Sequence, residues 1–494
     1  MSILKTVKLP ACLDFSPKAV ERPEGMLNLL WSLRMIIGQR FCHSARTVVA
    51  LFCGGFLTLT CAHAQLNNNN NNLLNQRVVG GVLVDSEGVV RSATKDDRAG
   101  LLRELREQII QPSGKIAAST QMRMVSLAKL QVELKKAMTS GENASDEIRF
   151  LAGLQRIEFV FVYPDRQDIV LAGPAEGWKV RDDGSVVGVT TGRPVLQLED
   201  LITALRTVDA SRDNAISVSI DPTPAGEVRL RKFLSQLRTG PGFNPSQVED
   251  GMKAAFGNQL VTLTAVPKDS RMAQTLVAAD YRMKCLAMAL EDSPVAGLPS
   301  YMEMIRDGGN ANGTQPRWWM ACDYDSILKS EDGMAWKLTG LGVKAMTAEQ
   351  FIDSQGGRTS SDRQNKMAQR WADQFTAKFD ELCTQNAAFG DLRNAMDLNV
   401  MATVIAAHQL DVLAGLDLSL LNGKSKSLET PVRPVAKTIP AHCSFVSGRA
   451  GWTVSASGGV EINPWRVVSE QTKSDEAVSL VRQKAGQNDH WWWN

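Results

Sequence analysis

The strongest pattern of hydrophobic and polar positions lies in residues 153–194, and it predicts a β-meander. Residues 157–163 alternate between aromatic and mainly aliphatic side chains, so we expect a strand with both faces buried. A Pro-Asp-Arg-Gln turn then leads into a second strand at 168–172, and Asp183-Gly184 is typical of a further hairpin. We take this meander as the centre of the fold.

Apolar positions at helical spacing surround the meander and predict a layer of helices. The clearest register lies in residues 271–290, where Met272, Leu276 and Ala279 follow a four-three spacing on one face. Strand, turn, helix, strand, helix is the order expected of helices layered on a sheet. The sequence predicts helices at 101–109, 127–134, 145–154, 198–208, 224–237, 245–256, 271–290, 367–382 and 391–408, and strands at 216–220 and 260–266.

Two further hairpins are expected outside the meander. Residues 78–93 contain two apolar runs around a turn. A strand at 317–328 is expected to turn at 330–333 and to return through 334–343.

The region after the second hairpin is predicted to be helical at first and extended later. Thr347 and Gln350 are spaced as a capping box, which predicts a helix start. The last two predicted helices are expected to pack as an antiparallel pair. Residues 423–440 have the composition of a linker, and residues 444–467 show only short strand-like runs.

These elements predict a mixed α/β fold of the α+β kind. It has a central β-meander and sheet with packed helices, a C-terminal helical pair and a small β-rich tail. A chain of 494 residues is long enough for two or more domains. We expect a leader at 1–64, an Asn-rich tether at 65–76, an N-terminal hairpin with helices at 77–155, a central α/β core at 156–300, a β-hairpin with the helical pair at 301–422, and a linker with a C-terminal tail at 423–494.

The leader has the pattern of a cleavable secretory signal peptide. Two arginines precede the apolar run 47–60, and the run is followed by Ala62-His63-Ala64, so we expect cleavage after Ala64. A start at Met35 instead of Met1 would give a leader of 30 residues. A membrane anchor is the alternative, but the run is shorter than the ~18 residues that a spanning helix needs. We therefore expect an exported protein with no transmembrane span after cleavage.

Charge argues against a nucleic-acid partner. The whole chain carries a formal charge of +2, but the leader holds seven basic and three acidic side chains. The remainder has 48 basic and 50 acidic side chains, a net charge of −2, and no long basic block. We expect the partner to be an unknown envelope component or protein.

The cysteines leave the redox chemistry open. After the leader is removed, Cys285, Cys322, Cys383 and Cys443 remain. Four cysteines in an exported chain permit two disulfides in three connectivities, and free buried thiols are an equal alternative. The spacing contains no CxxC pair, which disfavours a zinc ribbon.

Motif searches give no catalytic centre. The mature histidines are His408, His442 and His490, and none lies near another metal ligand in sequence. There is no GxSxG elbow, Walker A loop or GxGxxG. Ser326 and Lys329 fit an SxxK pattern, but they lie in a predicted strand without the companion motifs of serine acyltransferases. We predict no metal site and no cofactor.

Six polar or aromatic residues remain as candidates for binding. Ligands of open α/β sheets bind at the carboxyl ends of strands, which favours Asp221 after the strand at 216–220. Four candidates also have a structural interpretation. Asp280 would form a surface helix pair with Lys284, and Asp221 would be a turn or cap residue. Trp178 would be a core residue and Arg193 a turn residue. The candidates are Glu176, Trp178, Arg193, Asp221, Asp280 and Arg282.

Several long runs of the sequence also carry a family resemblance. They are LAGLQRIEFVFVYPDRQDIVLAGPAEGW, GRPVLQLEDLITALR, SIDPTPAG, VAADYRMK, GLPSYMEM and SEDGMAWKL. Together these runs resemble a family of exported planctomycete proteins described as a domain of unknown function, family 1598. The resemblance spans Val78 to Leu410. It implies export and a shared α/β body, and it assigns no catalytic residue.

Two functional hypotheses follow. The first is a secreted or periplasmic protein without enzymatic activity, which acts as a binding or envelope-associated structural module. The second is a hydrolase acting on an envelope polysaccharide, with Asp221 and Asp280 as acid and base. That reaction needs two carboxyl groups roughly 5 to 9 Å apart in a cleft, one of them with a raised pKa.

Overall fold

The computed structural model describes most of the chain after the predicted leader and tether. The leader, its cleavage site and the Asn-rich tether all lie outside the described residues, as do Cys443 and His442. The described residues group into one compact unit. The described residues are 78–79, 82–84, 89–92, 95–236, 246–307, 315–352, 358–361, 366–425, 428–441, 447–448, 451–452 and 457–487.

Within these ranges the chain forms twenty β-strands. In chain order they are β1 Val78–Val79, β2 Val82–Val84, β3 Val90–Ser92, β4 Thr120–Ser126, β5 Phe159–Tyr163, β6 Asp168–Ala175, β7 Trp178–Val180, β8 Val186–Gly188, β9 Ile216–Asp221, β10 Gln259–Thr264, β11 Gln315–Asp323, β12 Ser326–Lys329, β13 Ala335–Thr339, β14 Gly342–Ile352, β15 Arg358–Ser361, β16 Thr438–Ile439, β17 Ser447–Gly448, β18 Gly451–Trp452, β19 Ser457–Ile462 and β20 Thr472–Ser474.

The same ranges contain sixteen α-helices. They are α1 Lys95–Gln108, α2 Gly114–Ala117, α3 Leu127–Ser140, α4 Asp146–Arg149, α5 Leu198–Thr207, α6 Ala210–Asp213, α7 Pro224–Gln236, α8 Ser246–Phe256, α9 Arg271–Ala287, α10 Tyr301–Arg306, α11 Lys366–Ala377, α12 Phe379–Gln385, α13 Ala387–Ala407, α14 Leu410–Ala414, α15 Pro464–Gln471 and α16 Ala477–Ala485. The mixed α/β fold class expected from the sequence is confirmed.

The predicted meander lies in a six-stranded sheet with the strand order β20-β12-β13-β5-β6-β4. β5 pairs antiparallel with β6 across a short 3-10 turn at Pro164–Arg166, and all five residues of β5 are buried. The aliphatic side chains of β5 pack in the main core, whereas its aromatic side chains pack with α16 in a second core. The predicted hairpin at Asp183-Gly184 also forms, as β7 and β8.

A seven-stranded sheet has the order β15-β14-β11-β19-β9-β10-β16. β19 comes from the region predicted as a weak C-terminal tail, yet it lies in the middle of the sheet. It pairs parallel with β11 and antiparallel with β9. The region predicted as a linker contributes β16, which pairs with β10 at the edge.

One long hairpin connects the two large sheets. Its outer strands β11 and β14 pair in the seven-stranded sheet, and its inner strands β12 and β13 pair in the six-stranded sheet. The predicted strand at 317–328 is therefore two strands, interrupted at Tyr324 and Asp325. On the other arm, Gly340 has a φ of +107°, and a Cβ there would lie 2.6 Å from the Asp325 backbone nitrogen. Only glycine fits where the two arms approach so closely.

Two helix predictions near this hairpin are wrong in detail. Thr347 and Gln350 lie in β14, because the backbone pairs with β11 as far as Gln315 opposite Gln350, so the ladder overrides the local capping pattern. The predicted helix at 367–382 is divided into α11 and α12 at Lys378, whose ψ of 3° departs from helical geometry.

The main hydrophobic core joins both large sheets through the helices. It contains apolar side chains from one face of each sheet and from α5, α9 and α13. Residues 387–405 of α13 are buried, as are residues 272–287 of α9. The six-stranded sheet takes its strands from four separate parts of the chain: residues 120–126, 159–175, 326–339 and 472–474. The predicted meander strands and the inner strands of the long hairpin therefore lie in one sheet.

Candidate functional site

Asp280 and Lys284 form an ion pair inside the molecule. Lys284 Nζ lies 2.8 Å from Asp280 Oδ2, and the two side chains are 2% and 0% exposed. The contact has the distance of an ion pair without the angles of a hydrogen bond, so its stabilisation is mainly electrostatic. The i,i+4 pairing was predicted correctly, but the predicted surface location is wrong. The reason is that α9 is covered along its whole circumference by sheet and helices.

The pair connects α9 to the strands above it. Lys284 Nζ donates a hydrogen bond to the Ile220 carbonyl oxygen on β9 at 2.9 Å. A Cβ on Gly458 would lie 3.4 Å from Asp280 Oδ1, so the backbone of β19 also comes close to the carboxylate. Asp280 Oδ1 has no hydrogen-bond partner among the described residues.

Asp221 and Asp280 lie near the same end of the seven-stranded sheet. Asp221 is the last residue of β9, is partly exposed, and stands opposite Leu260 on β10. Burial raises the pKa of Asp280; Lys284 lowers it, the charge of Asp221 raises it and that of Arg317 lowers it. The net pKa lies above the ordinary value. The structure thus brings two predicted carboxylates into electrostatic contact, although one of them is enclosed.

Glu176 has a structural role at the turn that follows β8. Its Oε1 accepts hydrogen bonds from Gln155 Nε2 at 2.9 Å and from the backbone and hydroxyl of Thr191 at 2.8 and 2.6 Å. Oε2 accepts from the Thr190 backbone at 3.1 Å. Burial raises the pKa of Glu176, but these hydrogen bonds outweigh it and the pKa falls below its ordinary value. The carboxylate holds the turn in place.

Trp178 and Arg193 lie around the same hairpin. Trp178 is 1% exposed and donates from Nε1 to the Ile110 carbonyl oxygen at 3.1 Å. It therefore lies in the core, as its structural interpretation expected. Arg193 donates to Asp380 Oδ2 at 2.6 Å, and Arg393 contacts Asp380 Oδ1 at 2.7 Å. One carboxylate therefore bridges two arginines at this corner.

Arg282 belongs to a separate contact on α9. Its guanidinium pairs with Glu291, in the segment after the helix, and lies 6.0 Å from the ring centre of Tyr281. The six candidates thus divide into three places: the β7–β8 hairpin, the end of the seven-stranded sheet, and this ion pair. The first and third are tied into internal hydrogen bonds and ion pairs.

Sequence analysis missed a charge cluster where three helices begin. Arg271, the first residue of α9, contacts Asp200 in the first turn of α5 and lies 3.0 Å from Asp391 near the start of α13. Burial raises the pKa of Asp200; Arg271 lowers it, while Asp391 and Glu199 raise it, to about 6. The sequence feature that could have indicated this cluster is the pair Glu199 and Asp200 in the first turn of α5, where acidic side chains are favoured.

A second network was also missed, at the joint of the long hairpin. Arg156 donates two hydrogen bonds to Asp397, at 2.9 and 3.1 Å, and a third to the Gly340 carbonyl oxygen at 3.1 Å. Tyr324 donates to Asp397 at 2.7 Å. Arg156 and Asp397 are 241 positions apart in the sequence, and no spacing pattern marks them as partners.

Three cysteines are described, and all three are free thiols. Burial raises the pKa of Cys285 and Cys322 to about 12 and that of Cys383 to about 11. Thiols with such pKa values are poor nucleophiles at neutral pH. Over the described part of the chain, no group of three or more His, Cys, Asp or Glu side chains is placed to hold a metal ion.

Every helix within the described ranges is too short or too polar to cross a membrane.

His408 follows the last residue of α13 and stacks on Trp336, with ring centres 4.2 Å apart. Burial and the charge of Lys329 lower the pKa of His408. Ser326 and Lys329 lie in β12, as predicted, and Lys329 Nζ lies over the Trp336 ring.

Comparison with known proteins bears on the segment that contains Asp221 and Asp280. Neither a curated protein nor a solved structure matches the chain. One family model matches, over residues 218–301, which run from β9 through α9 to the start of α10. The match is narrower than the resemblance predicted from Val78 to Leu410, but it includes the runs SIDPTPAG and VAADYRMK. Residues 218–301 therefore match the family model described as "Protein of unknown function (DUF1598)".

Proposed function

We propose that the protein is exported and works as a non-enzymatic binding or structural module of the cell envelope. The leader pattern with cleavage after Ala64 supports export to the periplasm or cell surface, and the family resemblance supports a planctomycete source. The mature charge of −2 agrees with an envelope partner rather than a nucleic acid.

The observation that carries the proposal is the enclosure of Asp280. A polysaccharide hydrolase needs two carboxyl groups facing its substrate, and Asp280 is 0% exposed and neutralised by Lys284. The carboxylates of Glu176 and Asp380 are likewise committed to internal donors. Among the candidate carboxylates, Glu176 and Asp280 are buried and do not face solvent, where a polymer would lie.

The test is a binding and activity screen on the mature chain, Gln65 to Asn494. Co-sedimentation with isolated envelope material and thermal shifts with soluble envelope fragments measure binding. A ligand at a hundred times its Kd adds about 2.7 kcal/mol to the stability of the folded protein, which a melting curve detects. We expect binding without release of new reducing ends. Release of reducing ends that disappears in Asp280→Asn would overturn the proposal.

A hydrolase remains the second candidate because of one specific observation. The charge of Asp221 raises the pKa of Asp280, as a neighbouring carboxylate does for a general acid. If this pair is catalytic, Asp221→Asn and Asp280→Asn each reduce hydrolysis by orders of magnitude while Asp182→Asn, at an exposed position, leaves it unchanged. Equal activity of all three variants would exclude the pair.

A further inference from the structure

The ion pair inside α9 differs from three other buried pairs in its cation. Those pairs use arginine, and they are Arg271 with Asp200, Arg271 with Asp391, and Arg156 with Asp397. A guanidinium stays protonated in a protein and does not condense with a carboxyl group. A buried lysine amine can lose its proton, and it is then a nucleophile. Asp280 and Lys284 therefore have a chemistry that the arginine pairs lack.

The two side chains touch where neither of them reaches solvent. Lys284 Nζ lies 2.8 Å from Asp280 Oδ2, and the side chains are 2% and 0% exposed. Oδ1 has no hydrogen-bond partner in the part of the chain that the structure describes, and the contact at Oδ2 lacks the angles of a hydrogen bond. Buried carboxylates are normally stabilised by such bonds. The ionised form of Asp280 is therefore poorly stabilised.

Burial favours the neutral forms of both groups. It raises the pKa of Asp280 above its ordinary value, although the charge of Lys284 acts in the opposite direction. Transfer of one proton from the Lys284 ammonium to the Asp280 carboxylate removes two buried charges at once. An uncharged amine then lies against a carboxylic acid, and these are the two forms that condense to an amide.

Two strands hold the reacting groups in place. Lys284 Nζ donates a hydrogen bond to the Ile220 carbonyl oxygen on β9 at 2.9 Å, which fixes the end of a flexible side chain. On β19, a Cβ at Gly458 would lie 3.4 Å from Asp280 Oδ1 and would overlap the Trp318 carbonyl oxygen, so only glycine fits there. Groups that are held in contact have already lost much of the entropy that a reaction between them costs.

The helical spacing allows the two side chains to be joined without a change in the backbone. Side chains four positions apart are neighbours on the surface of a helix. Both residues lie within α9, whose residues 272–287 are all buried. Bond formation therefore needs only a small movement of Lys284 Nζ, from contact with Oδ2 of Asp280 to the carboxyl carbon.

We propose that Asp280 and Lys284 condense to an intramolecular isopeptide bond once the protein has folded. The Lys284 nitrogen attacks the Asp280 carboxyl carbon, and a C–N bond forms. The bond between that carbon and Oδ2 breaks, and Oδ2 leaves as water with the acid proton and one amine proton. Acid and amine thus become one amide and one water, and no further reagent is needed. The amide keeps one N–H for the Ile220 carbonyl oxygen.

An isopeptide bond at this position has a consequence for the two candidate functions. It converts Asp280 into an amide, which has no acid–base chemistry at neutral pH. The hydrolase that uses Asp221 and Asp280 is then excluded. The inference goes beyond the proposed envelope-binding function and does not depend on it, because the bond forms inside the protein whatever the protein binds.

The first experiment measures the intact mass of the mature chain, Gln65 to Asn494, purified in the folded state and then reduced and denatured. We expect a mass about 18 Da below the value calculated from the sequence, because one water is lost. Tryptic digestion then locates the loss. Trypsin cleaves at Arg282, inside the ring, so the peptides that carry Asp280 and Lys284 should stay joined. The full mass, or a loss located at any other residue, would overturn the inference.

The chain contains a matched control pair on its surface. Glu249 and Lys253 in α8 have the same order and spacing and lie 2.6 Å apart, but their side chains are 36% and 40% exposed. Water stabilises both of these charges, so we expect the peptides from this region to have their full mass. Loss of water at Glu249 and Lys253 as well would show that burial is not the cause, and it would contradict the inference.

A substitution tests the role of the amine. Lys284→Arg keeps a cation beside Asp280 but removes the nucleophile, so the variant should have the full calculated mass. A loss of water that persists in Lys284→Arg would contradict the proposed bond. If the variant does not fold, the wild-type mass and the located peptide still decide the question. Co-sedimentation with envelope material is measured separately, so the proposed function can stand or fall without the bond.

Discussion

At the scale of single residues, the interior is notable for charges that compensate one another. Asp200, Asp280 and Asp391 are each almost fully buried, and each contacts Arg271 or Lys284. Removing an ion from water costs several kcal/mol, and the attraction of a close partner offsets much of this cost. The balance differs between the sites, because Asp200 and Asp391 share one arginine whereas Asp280 has a lysine of its own.

Asp200 therefore gives a prediction about pH. Its pKa of about 6 is raised above the unfolded value, so the folded state binds its proton more tightly between about pH 4 and pH 6. The contribution of Asp200 to the free energy of unfolding falls as the pH rises through this window. A shift of about two pKa units corresponds to about 3 kcal/mol. Asp200→Asn should remove this dependence.

The measurement is urea denaturation of wild type and Asp200→Asn between pH 4 and pH 7. Arg271, Asp391 and Glu199 surround the carboxylate and remain in the variant, so the difference between the two curves reports the titration of Asp200 together with its coupling to these groups. We expect the stability of the wild type relative to the variant to decrease by about 3 kcal/mol over this range. Asp182→Asn, 92% exposed, serves as control and should show no such trend. A constant difference would contradict the prediction.

At the scale of elements, the joint of the long hairpin fixes the two large sheets to the helices. Tyr324 and Gly340 lie where the hairpin passes from one sheet to the other, and Asp397 of α13 binds both Tyr324 and Arg156. Burial lowers the pKa of Arg156, but Asp397 raises it further, so the guanidinium stays charged. The network thus sets the position of three elements with one carboxylate.

Removing that carboxylate should destabilise the whole fold. Asp397→Ala leaves Arg156, 14% exposed, without its ion partner, and breaking such a buried pair costs about 3–5 kcal/mol of unfolding free energy. The loss is measured by chemical denaturation. Combining Arg156→Met with Asp397→Leu should recover much of the stability, since no charge is then left unpaired. Asp182→Ala, which breaks the exposed pair with Arg106, should cost less than about 1 kcal/mol. Similar losses for both single variants would contradict this account.

Elements were predictable from the sequence where local pattern and burial agree. The alternation in 157–163 predicted β5, and the helical spacing of 224–237 predicted α7. The Thr223 hydroxyl caps that helix by accepting from the Gly226 backbone at 2.9 Å. Prediction failed where a distant partner decides. Thr347 looks like a helix cap, but pairing with β11 keeps it in a strand. The contact between Asp397 and Arg156 joins residues 241 positions apart, which no local pattern encodes.

The candidate site was predictable to the same extent. The sequence identified Asp221 and Asp280 as carboxylates of the same region, but burial of Lys284 depends on the sheet that covers α9. The alternation of Trp318 and Trp319 shows that the two rings point to opposite faces. Which ring faces the core depends on α11, where Trp371 packs edge-on against Trp318 with ring centres 5.0 Å apart.

At the scale of the whole molecule, the C-terminal region completes both large sheets. β19 lies between β11 and β9, and β20 pairs parallel with β12 at the edge of the other sheet. α16 covers the aromatic face of the meander, where Tyr163 donates to the Arg482 carbonyl oxygen at 2.9 Å. Neither sheet is complete until the last part of the chain has been made.

A truncation after Ala441 should therefore prevent cooperative folding. It removes β19 from the middle of the seven-stranded sheet and exposes the unpaired edges of β9 and β11, which favours aggregation. We expect the truncated protein to lack a cooperative thermal transition by circular dichroism. Deletion of Asn67–Asn72 is the control, because a polar tract of this kind contributes no buried apolar surface, and its transition should match the wild type. If the truncated chain melts cooperatively near the wild-type temperature, β19 is an accessory strand.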